Sequence, residues 1–504
     1  MPASSSRPLP FARNYGVNLT IALLALIPFI VITTAGVYYE SQIITVIGSS
    51  KLAIDTITWL GTAAYAFGAL LGGDLIQRYP QRRLFLFCEG LFVAGTVLAM
   101  FASETIVFGV GTVLQGFATG LLLVIALPPV IRRFPVEKLT LTAAFIDIAF
   151  FGAIAAGPML GGAVAVLGAW RRLYGIVAAI GVATIVTAGF TLPYEDPPSP
   201  QRRFDSAGIA LGLAGTFLPF WAVGNLTAHG FTSVQFLAPF VTGIFCFGAM
   251  LLVEFHEKDP ISPVKAMWNS FPVAGVIASM IGGGIYFTLY MLAQQYQTTT
   301  LGVLPLPSGI SFWPQIVGIV VGAITFRFIL NTRYLAVFTL TGMVALLLAG
   351  AILIFVAPDG SLAMTRVVFG LMGFGAGATV APGLWMAGLS LKSQMIGRIF
   401  ALVELVRSEA NFLMAPIIIK IAQLLSGGGS VMLASGVASA AWITVLAGLA
   451  LTIVGIVIFA AGGGGLQRPN LRAWHDEDKT AWTSPELFAL ARGKHPDQQL
   501  RKAS

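Results

Sequence analysis

The stretch IVFGVGTVLQGFATGLLLVIALPPV, residues 106–130, contains no charged residue and runs directly into Ile131, Arg132 and Arg133. A hydrocarbon core about 30 Å thick takes roughly 20 helical residues at 1.5 Å each, so this segment reads as a membrane-crossing helix closed by a basic loop. The pattern recurs along the 504-residue chain. Fourteen spans are read, at Leu19–Tyr39, Ile57–Leu75, Leu84–Ser103, Ile106–Val130, Ala143–Leu167, Leu173–Leu192, Ala207–Leu226, Val234–Phe255, Val273–Leu292, Ile310–Phe326, Leu335–Val356, Val367–Leu389, Ile399–Leu425 and Val437–Ala461. Composition agrees: 57% of residues are hydrophobic, 10% are charged, and mean hydropathy is +0.86, which excludes an ordinary soluble domain.

Basic residues fall mainly in every second gap. Arg7 and Arg13 precede span 1, and Arg78, Arg82 and Arg83 follow span 2. Arg132, Arg133 and Lys138 follow span 4, and Arg202 and Arg203 follow span 6. Lys258 and Lys265, then Arg327 and Arg333, then Lys392 and Arg398 continue the series after spans 8, 10 and 12. The tail adds Arg468, Arg472, Lys479, Arg492, Lys494, Arg501 and Lys502. Opposite gaps hold only Lys51, Arg171, Arg172 and Arg366. Cytoplasmic loops retain Lys and Arg, so both termini are expected inside, with an even number of crossings. The net charge of +8 is spread over short loops and suits anionic lipid headgroups better than nucleic acid.

The first apolar stretch is too long for a signal-peptide core and is expected to remain as span 1. Cys88 and Cys246 lie in apolar spans, and His229, His256, His475 and His495 are scattered, so neither a disulfide framework nor a metal site is expected. No Gly-rich ATP-binding motif is present, and neither a cofactor nor an enzymatic reaction is expected. The tail sequence Thr483-Ser484-Pro485-Glu486 before Leu487, Phe488, Leu490 and Ala491 predicts the capped start of a short helix on the inner membrane surface.

Two motifs carry a family resemblance. Gly73-Asp74-Leu75-Ile76-Gln77-Arg78-Tyr79-Pro80-Gln81-Arg82-Arg83 resembles the loop signature of the major facilitator superfamily, with Gln77 at its acid position and Pro80 at its second glycine. Asp74, one turn before Arg78, is placed to supply the missing carboxylate. Gly157-Pro158-Met159-Leu160-Gly161-Gly162, followed by Ala169-Trp170-Arg171-Arg172, is similar to the fifth-helix signature of the superfamily's antiporters. Phe204-Asp205, Asp259-Pro260, Tyr290 with Gln294 and Gln295, Leu114-Gln115-Gly116 and Arg407 resemble the drug:proton antiporters with fourteen spans. Thr112 stands where that family has an arginine in span 4, and Ile32-Thr33-Thr34 where it has an acid in span 1.

The resemblance implies an all-α polytopic membrane protein of the major facilitator type: two six-helix bundles plus two inserted helices. The expected divisions are an N-terminal bundle at 1–193, linkers and the inserted pair at 194–265, a C-terminal bundle at 266–465 and a cytoplasmic tail at 466–504. It implies a secondary transporter that exports amphipathic organic compounds in exchange for protons, in a bacterial inner membrane. Its expected partners are a small-molecule substrate, protons and membrane lipids, with accessory efflux components left open. Gly73, Asp74, Arg78, Arg82 and Arg83 would form a cytoplasmic gate, and Gly157, Pro158, Gly161 and Gly162 the antiporter motif. The Thr112 and Ile32 departures keep an uncoupled or metabolite-specific facilitator open. A receptor or scaffold that lost transport is the third reading, and the absence of a soluble sensory domain speaks against it.

A charge retained at mid-bilayer costs about 2.5–3.5 kcal/mol and so asks for a reason. Glu40, Glu89, Asp147, Arg366, Glu404, Arg407, Glu409 and Lys420 lie in spans. Glu40, Arg366 and Lys420 are near enough to span ends to reach the interface, and Glu89 reads as structural. Asp147 shares a stripe with Phe151, Ile154 and Pro158, because 11 residues at 100° return to within about 20° of the same face. It is the first candidate proton carrier, with pairing to Arg132 or Arg133 as the structural alternative. Glu404 and Arg407, one turn apart, form an expected ion pair on the face continued by Asn411, and Glu404 is the second coupling candidate. Tyr286, Tyr290, Gln294 and Gln297 recur on span 9, and Trp313 and Gln315 enter span 10. Tyr286, Tyr290, Gln294 and Trp313 are the candidate substrate contacts.

Overall fold

The computed structural model describes residues 9–201, 205–359, 362–427 and 433–492. Arg7, Arg202, Arg203, Phe204, Lys494, His495, Arg501 and Lys502 lie outside them. The described chain is helical throughout: α1 Tyr15–Leu24, α2 Ile27–Ile47, α3 Lys51–Arg78, α4 Gln81–Phe101, α5 Thr105–Arg133, α6 Leu139–Leu167, α7 Trp170–Thr191, α8 Ser206–His229 and α9 Val234–His256. There follow α10 Ser270–Gln295, α11 Pro305–Ser311, α12 Trp313–Ile329, α13 Leu335–Asp359, α14 Leu362–Leu389, α15 Ile396–Leu425, α16 Ala434–Gly462 and the short α17 Leu471–Asp476.

Among the described residues, 13 helical segments are long and apolar enough to cross a membrane, and the chain is a multi-pass integral membrane protein. The segment read from sequence as span 13, now α15, is not one of them. It is 30 residues long, but Arg398, Glu404, Arg407, Glu409 and Lys420 depress its hydropathy. It is nonetheless enclosed, packing on α3, α8, α10 and α16, with Glu404, Arg407, Glu409 and Asn411 all buried.

Proline sets two departures from the predicted spans. Span 1 is broken at Ala25–Leu26, where Pro28 opens α2 and cannot donate a backbone hydrogen bond into the preceding turn. Span 10 divides likewise into α11 and α12, with Pro314 in the first turn of α12. Elsewhere α6 packs on α2, α11 and α12, while α3 packs on α5, α8 and α15. Glycine permits close approaches of α6 to α2 and α11. A Cβ on Gly161 would lie 2.4 Å from the Ala35 carbonyl oxygen, and one on Gly162 would lie 2.6 Å from that of Pro305.

The tail differs from expectation. No α-helix starts at Thr483; the described turn there is a 3-10 helix at Leu490–Arg492. The capping groups are used by another helix instead. Ser484 Oγ accepts the Phe271 N–H at 3.1 Å and the Pro485 carbonyl accepts the Ser270 N–H at 2.9 Å, so the segment caps the start of α10. The tail folds against protein through two buried tryptophans: Trp474 Nε1 donates to Leu391 O at 2.8 Å and Trp482 Nε1 to Ser390 Oγ at 2.7 Å.

Candidate functional site

Two adjoining cavities lie between the helices. The deeper chamber, about 80 Å³, is walled by Phe29, Ile30, Thr33, Thr34 and Val37 of α2, Thr62 and Tyr65 of α3, and Phe150, Phe151 and Ile154 of α6. Gly283, Tyr286, Phe287, Tyr290, Met291 and Gln294 of α10 and Arg407, Asn411 and Phe412 of α15 complete it. The second is a vestibule of about 350 Å³ that shares Phe29, Thr33, Val37 and Met291 with the chamber and reaches Glu40, Lys51 and Asp55. Lys51 there bridges Glu40 at 2.9 Å and Asp55 at 3.2 Å. The vestibule therefore opens on the face opposite the chain ends.

The chain-end side is closed. Gly73 of α3 lies against α15, where an added Cβ would come within 2.9 Å of the Ala401 Cβ. Arg398 donates to the carbonyls of Ile261, at 3.1 Å, and Pro260. Below the chamber, Ile131, Leu139 and Ala143 join Phe326, Trp385, Phe400 and Trp474 in one apolar cluster. Burying such side chains stabilises this closure by about 1.5–3 kcal/mol each if it excludes water.

Glu404 and Arg407 form the ion pair expected from their spacing. Arg407 Nε donates to Glu404 Oε2 at 3.1 Å, and a terminal guanidinium nitrogen donates to Oε1. Tyr65 of α3 donates to Oε1 at 2.8 Å, and Ser408 Oγ does so at 3.3 Å. The guanidinium also lies over the Phe150 ring, 5.3 Å from its centroid. Sequence reasoning missed Tyr65, since no local pattern links it to a residue 339 positions away.

Asp147 is also buried, at 1% exposure, but among the described residues neither oxygen has a hydrogen-bond partner. It points away from the chamber towards α14, where a Cβ on Gly377 would be 3.2 Å from Oδ2. Arg133 does not pair with it and instead donates to Glu195 and Gln81. Glu89 and Glu409 share the unpartnered state, Glu89 towards Gly181 of α7 and Glu409 beside Thr216 of α8.

Of the candidate substrate contacts, Tyr286, Tyr290 and Gln294 line the chamber. Trp313 lines neither cavity and is 49% exposed on the outside of the helix assembly. At the start of α12 it is Gln315 that turns inward, donating to the Tyr286 hydroxyl at 2.5 Å. Among the described residues no cluster of His, Cys, Asp and Glu is arranged to hold a metal.

The family model of the Major Facilitator Superfamily matches residues 21–416. The chain belongs to that superfamily. Similar members include the uncharacterised MFS-type transporter YubD of Bacillus subtilis, 23% identical over 75% of this chain and 74% of that one. Another is the tetracenomycin C resistance and export protein of Streptomyces glaucescens, 24% identical over 64% of this chain and 59% of that one. Among solved structures, the superfamily's proton:xylose symporter XylE aligns with TM-score 0.61 at 13% identity, covering 91% of this chain and 99% of that one. The last likeness bears on the fold alone.

The superfamily loop signature is arranged in its own way here. Arg78 Nε meets Asp74 Oδ2 at 2.6 Å, so the i, i+4 carboxylate pairs within α3. Arg82 donates to Gly189 O at 2.8 Å and Arg83 stacks on Tyr194, 5.3 Å from the ring centroid, so both arginines are held by α7 and the segment after it. In the antiporter-like motif, Gly157 and Gly161 meet α2, Gly162 meets α11, and Gly309 of α11 returns the contact on Pro158. Thr112, in place of the span 4 arginine, donates to Phe108 O at 2.9 Å and borders the vestibule.

Proposed function

We propose that this superfamily member is a secondary transporter that exports amphipathic organic compounds in exchange for protons by alternating access. The observation that carries the reading is a vestibule adjoining the chamber, with the chain-end side closed beyond it. Ligand pockets for drug-sized compounds run to about 300–1,000 Å³, so the cargo occupies chamber and vestibule together, or the chamber widens as the halves move. The proposed layout is fourteen crossings: bundles at 1–193 and 266–465, an inserted pair within 194–265, and a tail at 466–504. Both chain ends then lie in the cytoplasm of a bacterium, and the Asp74–Arg78 region near Gly73 serves as the gate that opens when cargo is loaded. Arg82 and Arg83 brace that gate from α7, and Gly157, Pro158, Gly161 and Gly162 form the rigid contact about which α6 moves.

Proton entry supplies the drive, since each charge moved across 100 mV is worth about 2.3 kcal/mol, or nearly a fiftyfold concentration ratio for a neutral cargo. Asp147 is the proposed carrier: it is buried with no base beside it, and it exchanges a proton when its helix contact opens to water. Glu404 is the second coupling group, acting through its exchange of Arg407. The export relative in Streptomyces supports the direction of transport. Vesicles loaded with a fluorescent amphiphile test the reading. Efflux should accelerate when an inward proton gradient is imposed, and Asp147→Asn should lose that acceleration while retaining downhill movement. Gradient-driven efflux at the unmodified rate in the variant would rule out Asp147 as sole carrier.

One observation favours a second reading. Thr112 is tied to its own helix, and among the described residues no arginine borders the vestibule beside it, so an uncoupled facilitator with the same fold would show efflux indifferent to the gradient in both proteins.

A further inference from the structure

Among the described residues lining the deep chamber, Arg407 is the one charged group. Glu404 sits behind it, held by Tyr65 and Ser408 and absent from the chamber wall. Two of the five guanidinium N–H donors are engaged by Glu404, and the fixed fork leaves others for a ligand oxygen. The space therefore meets the cationic edge of the ion pair rather than its carboxylate.

Three other residues of the chamber wall carry polar atoms that no hydrogen bond among the described residues satisfies. The Tyr290 hydroxyl, both amide atoms of Gln294 and the Asn411 Oδ1 are buried without a hydrogen-bond partner, and all three residues line the chamber. An unpaired buried polar group is costly, so such a cluster is a site waiting for a ligand's polar end. Phe29, Phe150, Phe151, Phe287 and Phe412 also line the chamber and suit an aromatic body.

The geometry points to an organic anion as cargo: an aromatic carboxylate or comparable acid, with its charged oxygens on Arg407 and its hydrogen bonds completed by Tyr290 and Gln294. Arg407 then takes the cargo's carboxylate on its remaining N–H donors while keeping Glu404, which Tyr65 and Ser408 hold in place, so neither member of the ion pair is stranded. The vestibule's Glu40 and Asp55 are both bridged by Lys51, so selection for a negative charge happens at the chamber and not at the mouth. This inference rests on the transport reading only in taking the chamber as the cargo site.

The test uses one ring system in three charge states: naphthoate, naphthamide and naphthylmethylammonium, titrated by calorimetry into the full-length protein in lipid nanodiscs. Naphthoate is expected to bind about tenfold or more tighter than the amide, with the ammonium compound weakest. Arg407→Gln combined with Glu404→Gln leaves no uncompensated charge. It should lower naphthoate affinity to that of the amide while amide affinity, which reports an intact chamber, stays within about twofold. Glu404→Gln alone frees the guanidinium and should tighten naphthoate binding. Equal binding of the three probes, preference for the ammonium, no binding of any, or unchanged naphthoate affinity in the double variant would each overturn the assignment without touching the export reading. Naphthoate binding without efflux from vesicles would do the reverse, sparing the site and removing the exporter.

Discussion

Two buried acids in this protein have opposite surroundings. Glu404 on α15 is gripped by Arg407, Tyr65 and Ser408 beside the chamber, whereas Asp147 on α6 lies against α14 with neither oxygen engaged. Burial is nearly the same, 7% and 1% exposure, so burial does not distinguish them. What differs is the company, and company decides whether a carboxyl in a low-dielectric interior keeps its charge or its proton. The paired acid is held by three side chains and can move only by trading partners. The unpaired one is the proposed proton carrier.

The widest expected gap between them lies in what truncation costs. Arg407→Ala strands Glu404 as an uncompensated buried charge and should destabilise the protein by about 3–5 kcal/mol. Asp147→Asn replaces an acid that has no charged partner by an isostere and should stay within about 1 kcal/mol. Thermal unfolding in detergent, with both variants at one protein concentration, checks the pair, and similar losses would erase the distinction. Next in size is the contact on which the Asp147 helix rests. Gly161→Val sets side-chain carbon where 2.4 Å separates an added Cβ from Ala35 O, so a loss of about 1–3 kcal/mol together with slowed transport is expected. Gly168→Val would not be a fair control, because Gly168 has φ of 59°; Gly152→Ala, with open space around it, should be silent.

A smaller effect separates Asp147 from unpaired acids in general. Glu89 is just as buried and as unpartnered but faces α7, remote from both cavities. Glu89→Gln should leave gradient-driven efflux intact where Asp147→Asn removes it; matching losses would show that position in the fold contributes nothing. The least is expected of Trp313, whose exposed ring lines neither cavity. Trp313→Ala should change stability by no more than about 0.5 kcal/mol and leave naphthoate affinity unaltered in the titration described above.

Much of the molecule was legible in one dimension because the bilayer leaves so few options. Every backbone group must be satisfied within its own helix, so apolar runs of the right length could be read as spans directly. The i, i+3 and i, i+4 spacings gave Glu404–Arg407 and Asp74–Arg78 for the same reason, since helical neighbours are fixed by pitch. Three readings escaped this logic. Trp313 and Gln315 lie two residues apart, so they point to different sides, and only the packing of α12 shows that the glutamine turns inward. The Thr483–Glu486 capping pattern was genuine chemistry with the wrong address, because Ser484 caps α10 across more than 200 residues of sequence. Arg133 proved unavailable to Asp147 because Gln81 and Glu195 claim it.

The chain by itself thus determined a multi-helix membrane protein, its superfamily motifs and its local ion pairs, all consequences of helix geometry and of the cost of exposing polar backbone to lipid. Tertiary structure alone decided which charges met a partner, which face of Arg407 borders the chamber, and which end of the path is closed. Those depend on distances between residues far apart in sequence, and no period in the sequence encodes them.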